Sequence, residues 1–262
     1  MHKEKLKLKF LGCLVGTAIG DALGARREGR GLSRSEDIFP LVEKLEQLIY
    51  TDDTHMTIGV AESLMKSKGF DGDHMTQIFT KNYEAEPWRG YGPGPPIIFG
   101  MIRSGESWCN AANRLYRGGS FGNGSAMRVA PVGLLYSRKL ETLREIAYQS
   151  SSITHSHELG KEGAALQACA VALALNTPSD EDIDREAFLS RLQNFIRNQL
   201  YKEKNGPNKR VAWRARQGEG GCRPGKWYRS TKVSAYGYLL LPEAGSVLQR
   251  YRDLRRKPGR RY

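Results

Sequence analysis

Apolar residues recur at three- and four-residue steps through most of the first 200 positions, the period of helices that bury one face. The pattern predicts helices over 10–23, 41–49, 56–66, 75–83, 97–104, 107–116, 126–135, 140–151, 161–175 and 181–200. Their Ala, Leu, Glu and Gln content agrees with this, and no alternating apolar–polar run of strand type stands out. Gly/Pro-rich connectors separate them, chiefly Arg89-Gly90-Tyr91-Gly92-Pro93-Gly94-Pro95-Pro96 and Gly118-Gly119-Ser120-Phe121-Gly122-Asn123-Gly124. The expected fold is an all-α body of residues 1–200 with glycine loops gathered on one side. In the first predicted helix Gly12, Gly16, Gly20 and Gly24 form one ridge, where a second helix could approach closely.

Beyond Tyr201 the helical period fades and charge takes over. Residues 201–262 hold 17 Lys/Arg against 4 Asp/Glu, which accounts for the whole net charge of +13. Residues 1–200 are balanced, with 24 of each sign. The body is therefore not a basic nucleic-acid-binding domain, and no specific nucleic-acid partner is expected. Four cysteines without C-x-x-C or zinc spacing fit a reducing compartment, and a cytoplasmic location is expected. No apolar run reaches membrane-spanning length. Lys-rich 1–9 followed by apolar 10–19 imitates an export signal, but the glycine ridge and Asp21 favour a buried helix.

Candidate chemistry begins at Tyr50-Thr51-Asp52-Asp53-Thr54, ahead of the apolar run 56–64. Adjacent carboxylates repel and are costly to bury unless a cation or a donor neutralises them. An oxygen-only set suits a hard divalent ion such as Mg²⁺. The same string also reads as a helix cap, with Thr51 or Asp52 at the N-terminus and the acids favoured by the dipole. The glycine loop 118–124 runs into Ser125-Ala126-Met127-Arg128-Val129-Ala130-Pro131. Such a loop offers free N–H groups to phosphate, or it is a plain connector. It is neither a Walker A nor a Rossmann fingerprint. His155, in Ile153-Thr154-His155-Ser156-His157-Glu158, either contacts a ligand or caps the helix that follows. Taken alone, Glu28 reads as a surface residue.

In their order along the chain, these strings resemble the ADP-ribosylglycohydrolase family. They are Gly12–Gly16 through Gly20–Gly24, Thr51–Thr54, Arg89–Gly94, Gly122–Pro131 and Ile153–His155. The resemblance spans about residues 10–200. It implies a compact orthogonal helical bundle that hydrolyses ADP-ribose linkages with two magnesium ions. Thr51, Asp52 and Asp53 would then be metal ligands, and Glu28 the acid near the scissile ribose. Gly119, Ser120, Phe121, Gly122 and Asn123 would hold the diphosphate and distal ribose, with His155 touching the ligand. The implied partner is ADP-ribose or an ADP-ribosylated protein, acted on by a monomer. The alternative is a non-catalytic ADP-ribose-binding module.

One family string is missing. The late Gly-Gly-Asp-Thr-Asp-Thr that supplies the remaining metal ligands does not occur, and Asp253 is the only aspartate after Tyr201. The expected bundle is thus C-terminally incomplete, and the activity of this chain is in question. Shifting the reading frame of Gly225–Ser230 by one nucleotide permits Gly-Asn-Gly-Ile-Glu, which resembles the family's own late helices. On this reading 201–262 is an out-of-frame tail whose charge carries no function.

Overall fold

The computed structural model describes residues 3–25, 28, 47–178 and 182–205. Among these, ten helices and no strand are found: α1 (Lys3–Gly24), α2 (Asp52–Ser67), α3 (Gly72–Ala85), α4 (Gly94–Arg103), α5 (Trp108–Leu115), α6 (Ala130–Leu135), α7 (Leu140–Ser152), α8 (Glu158–Asn176), α9 (Arg185–Phe195) and α10 (Gln199–Asn205). The expected all-α class is met. Most of the tail, 206–262, lies outside the described residues, as do 41–46 of the helix expected over 41–49. Residues 47–50 of that region are not helical.

The centre of the fold is α8, packed between α7 and α6 and touched by α9. Ala164, Ala165, Ala168 and Ala172 are fully buried along it. Small side chains let neighbouring helices come close while keeping high helix propensity. The His157 ring caps its start, Nδ1 accepting from the Leu159 N–H at 3.0 Å. At its other end the Lys9 ammonium donates to the carbonyls of Leu175, at 2.9 Å, and Thr177. This puts a positive charge at the negative end of the α8 dipole.

A second core layer joins α2, α3, α4 and α5. Met56, Val60, Leu64, Met75, Phe79, Ile98 and Phe99 are each at most 2 % exposed. Burying seven such side chains contributes about 1.5–3 kcal/mol apiece. Several helix starts have a local reason. Thr51, Asp71, Ser107 and Asp184 accept from the first free N–H groups of α2, α3, α5 and α9. Pro131 stands in the first turn of α6, where its missing N–H costs nothing.

Three expected helices are revised. The helix expected from 126 starts only at Ala130, because Ala126 and Met127 turn back to the Asn123 carbonyl. The run 181–200 is broken at 196–198. There the Arg197 N–H leaves the helix to donate to the Glu162 carboxylate at 2.6 Å, and Asn198 Oδ1 accepts from Tyr201 to start α10. Glu162 is almost fully buried, pairs with Arg144 at 3.3 Å and also accepts from the Tyr148 hydroxyl. The glycine-ridged α1 forms, yet Ala22 is its only buried residue, and a Cβ on Gly12 would meet open space. Leu6, Phe10, Cys13 and Leu14 pack on α6 and α8 instead, while Leu8, Leu11 and Val15 stay exposed.

Candidate functional site

The N-terminus of α2 is held by a residue 30 positions earlier. Asp21, near the end of α1, accepts from the Thr51 N–H at 2.8 Å and the Thr51 hydroxyl at 2.6 Å. It also accepts from the Thr54 N–H at 3.1 Å and the Thr54 hydroxyl at 2.6 Å. Four donors satisfy the Asp21 carboxylate and pin the segment 51–54 to α1. From the other side, the Asp52 N–H donates to the Arg89 carbonyl at 2.7 Å. The Arg89 guanidinium lies 3.8 Å over the Tyr50 ring and donates to the Tyr50 carbonyl at 3.0 Å. Gly90, at φ +85°, lies beside Thr51 and the Asp52 carboxylate. The Gly90 turn thus forms one wall of the acidic end, and Tyr91 completes it by bonding His55 Nδ1 at 3.0 Å.

Thr51 is indeed the N-cap, its hydroxyl accepting from the Asp53 N–H at 3.4 Å. The carboxylates that follow are not at ease. Burial, first, and then the charges of Glu28 and Asp21 push Asp52 up to about 7, against relief from a backbone hydrogen bond and Arg128. Burial, then Asp21, Asp52 and Glu28, push Asp53 up to about 8. A positive ion would remove that strain. Glu28 is exposed, but its charge reaches both aspartates. Among the described residues no three His, Cys, Asp or Glu side chains are grouped closely enough to hold a metal ion by themselves. The oxygen set of Thr51, Asp52 and Asp53 fits one side of a magnesium site.

The glycine loop lies on the segment 155–157. Gly119 adopts φ +81°, and a Cβ there would stand 2.3 Å from the His157 N. A Cβ on Gly124 would stand 2.5 Å from the His155 ring. No side chain fits at either position. Ser120 Oγ accepts from the Gly122 N–H at 3.3 Å, and half-exposed Phe121 packs its ring edge-on to His157 at 5.3 Å. The His155 ring is buried, and burial followed by the Arg128 charge lowers its pKa to about 3, so it is neutral. Its Nδ1 lies 2.8 Å from Thr154 Oγ1, which itself accepts from Arg128 at 2.8 Å. The other ring nitrogen, Nε2, is the atom near Gly122 and Gly124.

Fully buried Arg128 joins the two parts. It donates to Thr154 and to the Ser150 carbonyl, both at 2.8 Å, and lies 4.8 Å over the Phe79 ring. Its charge is felt by Asp52 and by His155. The structure thus gathers Glu28, Thr51, Asp52 and Asp53 in one place and Gly119–Asn123 with His155 in another. Sequence reasoning missed Asp21, noted only as an interruption of an apolar run, and Arg128. The available signal was the same for both: a charge inside an apolar helical pattern has to find partners elsewhere.

An all-helical fold with an acidic helix end and a glycine loop is the class defined by these features. The chain belongs to the ADP-ribosylglycohydrolase family, whose model matches residues 2–251. Among curated proteins it is similar to ADP-ribosylhydrolase ARH3 of Gallus gallus, 37 % identical over 204 residues, covering 70 % of this chain and 54 % of the relative. The Homo sapiens ADP-ribosylhydrolase ARH3 is 35 % identical over 199 residues, covering 70 % and 53 %. The chain spans about half the length of these relatives. A solved structure described as an ADP-ribosylglycohydrolase-related protein complex shares the fold at TM-score 0.59 and 23 % identity, covering 89 % of this chain and 75 % of that one.

Proposed function

We propose that the chain cleaves the glycosidic bond of ADP-ribose conjugates, with ADP-ribose or an ADP-ribosylated protein as its partner. The observation that carries this reading is the pairing of partly buried, mutually repelling Asp52 and Asp53 with a glycine loop laid on a neutral histidine. The loop 119–123 offers backbone N–H groups to a diphosphate, beside the neutral His155 ring. Thr51, Asp52 and Asp53 would hold magnesium, which when bound supplies positive charge for ribose hydroxyls and an ordered water. Exposed Glu28, electrostatically linked to both aspartates, takes the role of proton acceptor for that water.

A second reading, an ADP-ribose-binding module without hydrolysis, is favoured by the absence of Gly-Gly-Asp-Thr-Asp-Thr from the sequence. Calorimetry of the full chain with ADP-ribose, with and without Mg²⁺, tests both, alongside release of ADP-ribose from a modified protein. Magnesium-enhanced binding with release supports the hydrolase. Metal-independent binding without release supports the module. No binding of ADP-ribose overturns both.

A further inference from the structure

Asp21 does more than fasten two segments together. Its Oδ2 accepts from three donors, the Thr51 N–H, the Thr54 N–H and the Thr54 hydroxyl, and Oδ1 takes the Thr51 hydroxyl. The Thr51 hydroxyl has a single proton, and the 2.6 Å bond to Asp21 uses it. What remains on Thr51 Oγ1 is lone-pair density. One lone pair meets the Asp53 N–H at a long 3.4 Å, and the other is left to an external acid. A hydroxyl binds a cation through a lone pair, and a hydroxyl whose proton pointed at the cation would repel it.

We infer that Asp21 is a positioning residue that makes Thr51 a cation ligand by fixing the direction of its hydroxyl proton. The inference rests on the reading of Thr51, Asp52 and Asp53 as a magnesium site. Three of the Asp21 hydrogen bonds converge on Oδ2 and the fourth reaches Oδ1, so both oxygens are turned to Thr51 and Thr54. The Thr54 hydroxyl donates to the same carboxylate at 2.6 Å and fastens the segment to α1. Asn at position 21 would offer an N–H where the carboxylate offered an oxygen. Placed against Thr51 Oγ1, that N–H would take a lone pair and turn the hydroxyl proton outward.

The test is a double-mutant cycle on the full chain, with Mn²⁺ alone as the probe and binding read by electron paramagnetic resonance. Asp21→Asn should weaken Mn²⁺ binding about 10- to 100-fold, the usual consequence of removing an outer partner of a ligand. In a Thr51→Ala background the same substitution should cost nothing further, since the hydroxyl through which Asp21 acts is gone. Losses that simply add overturn the inference, because a merely structural role, or direct ligation by Asp21, would persist without Thr51. If circular dichroism shows Asp21→Asn unfolded, the cycle is run with Asp21→Glu, which keeps the charge and displaces the acceptor, and the same non-additivity is required. A wild-type chain that does not bind Mn²⁺ overturns the magnesium reading and the role of Asp21 with it. Additive losses on a wild type that does bind overturn the role of Asp21 alone.

Discussion

The two halves of the candidate site are built on opposite principles. The acidic end of α2 is an electrostatic construction: Asp21 is satisfied by four donors, while Asp52 and Asp53 carry raised pKa values. The glycine loop is a steric construction, in which Gly119 and Gly124 touch the 155–157 segment so closely that no Cβ fits. The first half crowds like charges in a partly buried place. The second is fixed by close contact. Substitutions of Asp52 and Asp53 should therefore harm function without harming the fold, and substitutions of the loop glycines should harm both.

The largest effect is expected from the double substitution Asp52→Asn with Asp53→Asn. If Asp52 and Asp53 are the metal ligands proposed, their loss should weaken Mn²⁺ binding by more than the roughly 10- to 100-fold that outer partners are worth. In EDTA the same variant should unfold at no lower urea concentration than the wild type, because two crowded, partly buried acids have become neutral. A clear drop in the urea midpoint would show that these carboxylates hold the fold, and the contrast would fail.

Next in size is Gly119→Ala. A non-glycine residue at φ +81° costs about 1–3 kcal/mol, before the clash with the His157 nitrogen is counted. Urea denaturation should show that loss, and calorimetry should show weakened ADP-ribose binding with Mn²⁺ affinity unchanged. Parallel losses of ADP-ribose and Mn²⁺ would mean the halves are not separable.

The smallest effect concerns pH. His155 is held well below its ordinary value, at about 3, by burial and by Arg128. The unfolded chain therefore takes up a proton that the fold refuses. Its contribution to stability is present above about pH 6.5 and is lost as pH falls toward 3. Between pH 7 and 5.5 the loss is about 1 kcal/mol. His155→Gln should lack this component, so its stability difference from the wild type should shrink on acidification. A difference independent of pH would place a charged imidazole in the loop half.

Local chemistry was legible without coordinates. The cap at Thr51 and the glycine connectors act within a few residues, and the helix after Thr51 formed near its expected position. Of the two readings of Thr51–Asp53, the structure shows the cap: Thr51 accepts from the Asp53 N–H at the start of α2. Less legible were features that depend on distant partners. The break at 196–198 follows from Glu162, whose carboxylate draws the Arg197 N–H out of an otherwise continuous helical pattern. Of the glycine ridge on α1, Gly12 meets open space among the described residues.

By itself the sequence determined an all-helical chain with an oxygen-rich acidic string and a glycine loop, because propensity, capping and period are short-range properties. Only the tertiary structure decided what Asp21 and Arg128 do. Asp21 bonds residues 30 and 33 positions away, and Arg128 bonds residues 22 and 26 positions away. Buried charges have to be satisfied by whichever groups the fold brings to them, and no local pattern names those groups.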